Sequence, residues 1–461
     1  MGFSASAFPH PHGHWTNIMN PLPLQTSRRR FLRTTAGAAF ATPFIMRDLI
    51  ARPPSSQVAH ASFGAGGMAW ADLNEIASHK SVRVVAVADV DGTRTGEFRK
   101  KFPEARVYAD YRQLLDKEKL DSVNVSTPDH MHAPQGMAAM QRGIHVYGQK
   151  PLTHDLYECR RLTEVAKQKK LVTQMGIQIH SATEYRLATR LVQDGVIGKV
   201  REVHTWSSKE WGDNGTMPDR RDPVPTGLDW NLWLGVCADR PFIGQGWYHP
   251  GNWRRRLDFG TGTFGDMGCH IFDPVFSALG LTAPISVKSL GAAPSNHSWA
   301  TNAIIEYIYP ATPFTIPGTV PVTWYDGRKR PPADVVSLLG KVALPDQGSI
   351  IIGTQGVMVV PHVGRPILLP AQKYDGFKFP DVGSANHWHE FIDAVSGKGT
   401  TSAGFDYSGP LTESVLLGSV ATRFPNQLLE WNSAKLRFTN VAAANQHVRR
   451  AYRKGWETKG L

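Results

Sequence analysis

The chain has 461 residues with 51 Lys+Arg against 39 Asp+Glu, a formal charge of +12, and 41% hydrophobic against 20% charged side chains. Such a length builds two or three domains, each with its own core, and no run approaches the ~18 apolar residues of a membrane-spanning helix, so no integral membrane segment is expected. Residues 1–61 hold six Arg against one Asp and residues 435–461 seven Lys/Arg against one Glu, leaving 38 basic against 37 acidic residues in 62–434; with the excess at the ends, no nucleic-acid stripe is expected in the fold.

In chain order, Ser27-Arg28-Arg29-Arg30-Phe31-Leu32-Arg33 and the small-residue run Thr34–Ala41 resemble a bacterial twin-arginine export signal. Residues 1–57 are therefore read as signal and linker, Ala39-Phe40-Ala41 as a candidate cleavage site, and the periplasm or another exported location as the destination. From Val58 short β-rich runs alternate with helical stretches: strands Val58–Phe63, Val82–Ala88, Ser122–Ser126, Ile144–Tyr147 and Leu171–Met175, and helices Gly92–Phe102, Pro134–Arg142 and Asp155–Lys169. Such βαβ units predict a doubly wound parallel sheet, a Rossmann domain over 58–176. Beyond it the alternation stops. Helix Ala182–Asp194 precedes longer strands (Val200–Ser208, Ala303–Tyr309, Val320–Trp324, Ser349–Ile352, Gly356–Val360) separated by Pro/Gly-rich loops. A C-terminal α+β domain over 177–435, with a large, mainly antiparallel open sheet, is expected, followed by a basic tail, 436–461, to which the sequence assigns no role. Three scattered cysteines, Cys159, Cys237 and Cys269, make neither a disulfide framework nor a CxxC zinc site.

Gly64-Ala65-Gly66-Gly67-Met68-Ala69 fits G-x-G-x-x-A between a strand and a helix, and Asp89 ends the next strand twenty residues after Ala69. The glycines let backbone approach a pyrophosphate at a helix N-terminus, and the acid accepts from the adenosine ribose hydroxyls. Asp89 favours NAD by repelling a 2′-phosphate, while Arg94 keeps NADP open. Thr127-Pro128-Asp129-His130-Met131-His132 and Gln149-Lys150-Pro151 follow strands at their carboxyl ends, where a doubly wound sheet binds ligands. The first loop is read as packing on the nicotinamide end rather than holding a metal, and Lys150 as polarising a substrate hydroxyl. The Lys150–Pro151 bond is a candidate cis peptide. Asp266 and His270 share one face of a helix opened by a Gly-rich lead-in. Between Gly246 and Arg254, aromatic and hydrogen-bonding side chains (His249, Trp253 and Arg254) form a candidate sugar wall that Gln178 and His180 join.

In this order the motifs GAGGMA, VAVADVD, STPDHMHAP, HVYGQKPL and GTFGDMGCHIFD resemble the Gfo/Idh/MocA family of NAD(P)-dependent sugar and cyclitol oxidoreductases, over about residues 58–435. The resemblance implies Lys150, Asp266 and His270 as the catalytic set, His270 as general base. It implies Gly64, Gly66, Gly67, Met68, Asp89, Thr127, Pro128, His132, Gln149 and Lys150 as the cofactor set. It also implies a homo-oligomer joined through the open sheet. The family usually has Glu where this chain has Gln149, which leaves the lysine's charge partner open. An exported NAD(P)-dependent sugar or polyol oxidoreductase is the leading expectation. The alternatives are a glycosidase working by transient oxidation and elimination with NAD, and a non-catalytic binding protein on the same fold.

Overall fold

A computed structural model describes residues 57–461; the export motif and the candidate cleavage site lie outside the described residues. The first sheet contains β1 (Val58–Phe63), β2 (Val82–Ala88), β3 (Arg106–Tyr108), β4 (Ser122–Val125), β5 (His145–Gln149) and β6 (Thr173–Gly176). Every pair is parallel and the order is β3-β2-β1-β4-β5-β6. Such strands are covered on both faces, which is why β1 and β4 are buried throughout. Even the polar His60 of β1 is paired, its ring nitrogens 2.9 Å from Ser122 Oγ and 3.0 Å from Asn124 Oδ1 on β4.

The crossover helices are α1 (Met68–Ala77), α2 (Gly96–Lys101), α3 (Tyr111–Lys117), α4 (His132–Gln141) and α5 (Leu156–Lys169). A capping box starts α5: Asp155 accepts from the Glu158 amide while Glu158 accepts from the Asp155 amide. The sequence reading missed β3 and α3, since a three-residue strand gives no period to read.

The second sheet has nine strands in the order β13-β12-β11-β7-β10-β9-β8-β14-β15. They are β7 (Val200–Ser207), β8 (Ser286–Ser289), β9 (Ile304–Pro310), β10 (Thr319–Asp326), β11 (Gly348–Gly353), β12 (Val357–Pro361), β13 (Ile367–Leu369), β14 (Leu428–Asn432) and β15 (Arg437–Phe438). Only β7 and β10 pair in parallel. The helices around it are α6 (Thr183–Gln193), α7 (Trp230–Leu234), α8 (Gly262–Ile271), α9 (Asp273–Leu279), α10 (Ala333–Ser337), α11 (His387–Val395) and α12 (Phe405–Ala421). The helix that carries Asp266 and His270 ends at Ile271, and a second begins at Asp273. Pro274, in the first turn of α9, has no N–H to continue the ladder of α8.

Helix α12 is apolar or small on nearly all sides and correspondingly buried. Its Gly409 carbonyl accepts from Cys159 Sγ on α5, and its Ser414 carbonyl accepts from Tyr307 Oη of β9 at 2.8 Å. One continuous core therefore joins both sheets, with Phe264, Phe272, Tyr307 and Trp324 in ring contact between α8 and the second sheet. All three cysteines are free and buried. Among the described residues, no helix is long and apolar enough to cross a membrane.

The C-terminal residues are packed against the fold. The Tyr157 amide donates to the Val448 carbonyl at 2.9 Å, and the Arg450 amide donates to Asp155 Oδ2 at 3.0 Å. Tyr452 Oη donates to Glu158 Oε1 at 2.6 Å, and Arg161 Nε donates to the Gly460 carbonyl at 3.1 Å. The segment is thus held against α5 and its cap, a docking that no periodicity announces.

Candidate active site

The strand order places the carboxyl ends of β1 and β4 side by side, at the point where the chain reverses direction across the sheet. The glycine turn lies there. Gly64 has φ +101°, and a Cβ on it would stand 2.8 Å from the Ser126 carbonyl oxygen, so only glycine fits. Gly67, with φ +60°, caps α1 and leaves the first-turn amides facing the cleft. Asp89, just past β2, accepts from the Ala65 amide at 2.8 Å and the Asp91 amide at 2.9 Å, which fixes its carboxylate beside the turn. Arg94 lies across Gly66. A glycine turn without side chains, a free helix N-terminus and a carboxylate one strand away fit the diphosphate and ribose of a dinucleotide.

The loops after β4 and β5 make the other wall. His132 ties them together, its Nδ1 2.7 Å from the Pro151 carbonyl and its Nε2 2.7 Å from the Thr127 carbonyl. Asp129 crosses to the lead-in of α8, accepting from the Thr261 amide at 3.1 Å and the Thr261 hydroxyl at 2.6 Å. His130 is buried between Trp233 and Phe259, with Nε2 3.0 Å from the Trp233 carbonyl. Burial lowers it to about 3. Both ring nitrogens of His132 thus lie on carbonyl oxygens. The Lys150–Pro151 bond is cis. Gln149 donates to Asp72 Oδ2 at 2.9 Å and accepts from the Lys150 amide at 3.1 Å.

Lys150 Nζ donates to Asp266 Oδ1 at 2.7 Å and to the Asp266 carbonyl at 2.8 Å, tying β5 to α8. Arg254 Nε reaches the same Oδ1 at 3.3 Å, and Trp211 Nε1 donates to Oδ2 at 2.7 Å. Burial alone would push the Asp266 carboxyl up; Lys150 and Arg254 outweigh it and hold the group well below the usual carboxylate range. One turn on, His270 is held far below the ordinary imidazole value, by burial first and then by the Lys150 cation. It is therefore neutral at pH 7, and among the described residues no side chain hydrogen-bonds its ring.

All ten residues of the expected cofactor set and all three of the catalytic set line one cleft of about 310 Å³. Gln178, His249, Trp253 and Arg254 line it too. Their partners differ from a bare sugar wall. His249 Nε2 lies 2.8 Å from Asp91 Oδ2, and Arg254 stacks on Trp253 while pairing with Asp266. Much of the surrounding aromatic segment, including Tyr248 and Trp253, is a hydrophobic cluster with Trp233, Phe242 and Phe259.

His180 stands elsewhere. It faces a separate cavity with its Nδ1 2.9 Å from Asp273 Oδ1, because the turn after Ile177 carries it under α9. Four residues joined to the site escaped the sequence reading. Asp72, Trp211 and Trp456 lie in no motif, and Asp129 lies inside one whose histidines drew the attention.

The class of protein is thus a dinucleotide-binding Rossmann domain joined to a second α/β domain, with a Lys–Asp–His constellation where they meet. Residues 60–177 match the family model described as "Oxidoreductase family, NAD-binding Rossmann fold", and residues 182–312 match its partner, "Oxidoreductase family, C-terminal alpha/beta domain". Together these cover more than half of the chain, which belongs to the Gfo/Idh/MocA oxidoreductase family. A curated relative, a dTDP-3,4-didehydro-2,6-dideoxy-alpha-D-glucose 3-reductase of Streptomyces antibioticus, is 29% identical over 36% of this chain and 52% of its own. Another, an alpha-N-acetylgalactosaminidase of Shewanella oneidensis, is 25% identical over 32% of this chain and 34% of its own. The chain thus spans about half or less of these relatives. Among solved structures, the WlbA dehydrogenase of Chromobacterium violaceum, in complex with NADH and UDP-GlcNAcA, superposes with a TM-score of 0.60 at 16% identity, covering 84% of this chain and 99% of its own; that likeness is one of fold.

Proposed function

We propose that this protein is an NAD-dependent oxidoreductase acting on a CH–OH carbon of a sugar or polyol. The observation that carries the reading is the 2.7 Å Lys150–Asp266 ion pair at the mouth of the dinucleotide cleft, with neutral His270 one turn further along α8. Bound NAD supplies the hydride acceptor, and in the reverse direction NADH supplies the donor. Lys150, anchored by Asp266, directs N–H bonds at a substrate hydroxyl and stabilises negative charge growing on its oxygen. His270 accepts the hydroxyl proton on a ring nitrogen, which its depressed proton affinity keeps vacant at neutral pH. Asp266 is already held by Lys150, Arg254 and Trp211, so it positions the lysine rather than taking the proton. NAD rather than NADP is favoured by the half-buried Asp89 carboxylate beside the turn, and Arg94 sets how much of that preference survives.

Purified protein, supplied with NAD and a panel of aldoses, inositols and anhydrosugars, is expected to form NADH with at least one of them. Lys150→Ala and His270→Ala are each expected to lower kcat/KM by about 10²-fold or more. Unchanged rates in both variants overturn the assignment.

A second reading, hydrolysis of a glycoside through transient oxidation, is supported by the alpha-N-acetylgalactosaminidase among the relatives. It predicts aglycone release without net NADH. We further infer export from the twin-arginine motif at Arg28-Arg29. Arg28→Lys with Arg29→Lys is expected to hold the protein in the cytoplasm, and undiminished secretion of that variant contradicts it.

A further inference from the structure

The cleft has a wall that belongs to neither expected domain. Trp456, five residues before Leu461, is 8% exposed and lines the same cavity as Gly66 and Asp89. The same cavity is lined by Ala109, Asp110 and Tyr111, the residues that follow β3, and by Leu232 of α7, and Arg112 next along the chain lies over the Trp456 ring. In a doubly wound sheet the loops after β2 and β3 flank the adenosine half of a dinucleotide, with the nicotinamide half beyond β4 and β5. The residues after β3 therefore place Trp456 at the adenine end of the cleft.

The indole is held there on purpose-built contacts. Arg112 of α3 lies over its ring at 4.3 Å, and Arg112 is itself fixed by Asp110 at 2.7 Å. Arg453 is the main strut: its amide donates to the Val236 carbonyl at 2.9 Å, its Nε to the Gly235 carbonyl at 3.0 Å, and its Nη2 to the Asn231 carbonyl at 2.8 Å. Before it, Arg450 donates to the Asp258 carbonyl at 3.1 Å while its amide holds Asp155. The segment therefore straps α5 of the Rossmann domain to the 231–258 region of the second and crosses the adenine end between them. Nothing in the Lys–Asp–His chemistry requires such a strap.

We propose that residues 448–461 form a latch that closes the adenine end of the dinucleotide cleft, with Trp456 as its bolt, so that NAD is held as a slowly exchanging group. The proposal rests on the dinucleotide reading of the cleft and adds the segment that retains it. Closure of an aromatic wall on a base slows release, and losing it speeds release by about tenfold to a hundredfold.

The test uses the full chain loaded with NAD and measures exchange against excess isotopically labelled NAD by mass spectrometry. Trp456→Ala is expected to release NAD at least about tenfold faster than the parent, and Trp456→Phe to stay within about threefold of it. Arg453→Ala, which leaves the indole in place but cuts its strut, is expected to shift in the same direction as Trp456→Ala and decides the matter if the latter does not fold. Release within twofold of the parent in Arg453→Ala and in folded Trp456→Ala overturns the latch alone. Failure of the parent chain to bind NAD at all overturns the dinucleotide reading and the latch with it.

Discussion

Gln149 donates its amide to Asp72 Oδ2 across 2.9 Å, in a pocket where Trp388 Nε1 donates to the other oxygen at 3.0 Å and Ser126 Oγ to the same one at 2.8 Å. The sequence poses Gln149 as a missing carboxylate beside Lys150. The structure shows a carboxylate nearby after all, on α1 instead of β5. A glutamate at 149 would face Asp72 at hydrogen-bond distance, and two buried like charges cannot both ionise there.

Gln149→Glu is therefore expected to destabilise the protein at pH 7.5 by about 1–3 kcal/mol. The double variant Gln149→Glu/Asp72→Asn, which restores an acid–amide pair, is expected to recover most of that loss in chemical denaturation. Equal destabilisation by the single and the double variant contradicts the pairing.

Asp72 also predicts a pH dependence. Burial raises its carboxyl from 3.8 to about 6, against the opposing pull of its hydrogen bonds. With a folded value above the unfolded one, the folded state binds more protons between about pH 4 and 6, so stability falls as pH rises through that window and levels off above it. Relative to Asp72→Asn, the parent is expected to lose up to about 3 kcal/mol from pH 4 to pH 7. A difference that stays constant over this range contradicts the buried ionisation.

The Lys150 cation is one of the forces holding His270 neutral. Lys150→Met is expected to move the His270 titration upward, followed by imidazole resonances in NMR, while in the parent the ring titrates well below the ordinary imidazole value. A lower or unchanged titration in the variant means that Lys150 does not face the imidazole.

Arg450 is buried beside Asp155 and Glu158, whose carboxyls burial pushes up and Arg450 pulls down. Removing the side chain takes away its hydrogen bond to the Asp258 carbonyl and the charge that pulls those acids down. Arg450→Met is expected to cost about 1–3 kcal/mol in urea unfolding. A loss below 1 kcal/mol would show that the tail docks without it.

What could be read from residue order was the part of the fold governed by short periods and fixed turns. The strands Val58–Phe63 and Val82–Ala88 fall where their runs place them, because a buried parallel strand is a continuous apolar run bounded by turn residues. The residues expected to hold the cofactor and to carry the catalysis lie at strand ends and on one helical turn, and they line one cleft. What could not be read depends on contacts between distant positions. Trp211 reaches Asp266 across 55 residues, Asp72 reaches Gln149 across 77, and Arg450 reaches Asp155 across 295. The tail looked like surplus charge because its arginines find carbonyls and carboxylates only once both domains are assembled. His180 shows the converse: proximity to the last Rossmann strand in sequence did not bring it into the cleft, since the turn after Ile177 delivers it to Asp273.

Lys150 and His270 are proposed to act on a sugar or polyol hydroxyl beside bound NAD. The most direct measurement is NADH formation at 340 nm by the parent, Lys150→Ala and His270→Ala with the best substrate of a sugar and polyol panel, each variant checked for NAD binding. Substrate-dependent NADH is expected in the parent, with a loss of about 10²-fold or more in both variants while NAD stays bound. Parent-like rates in NAD-loaded variants would contradict it.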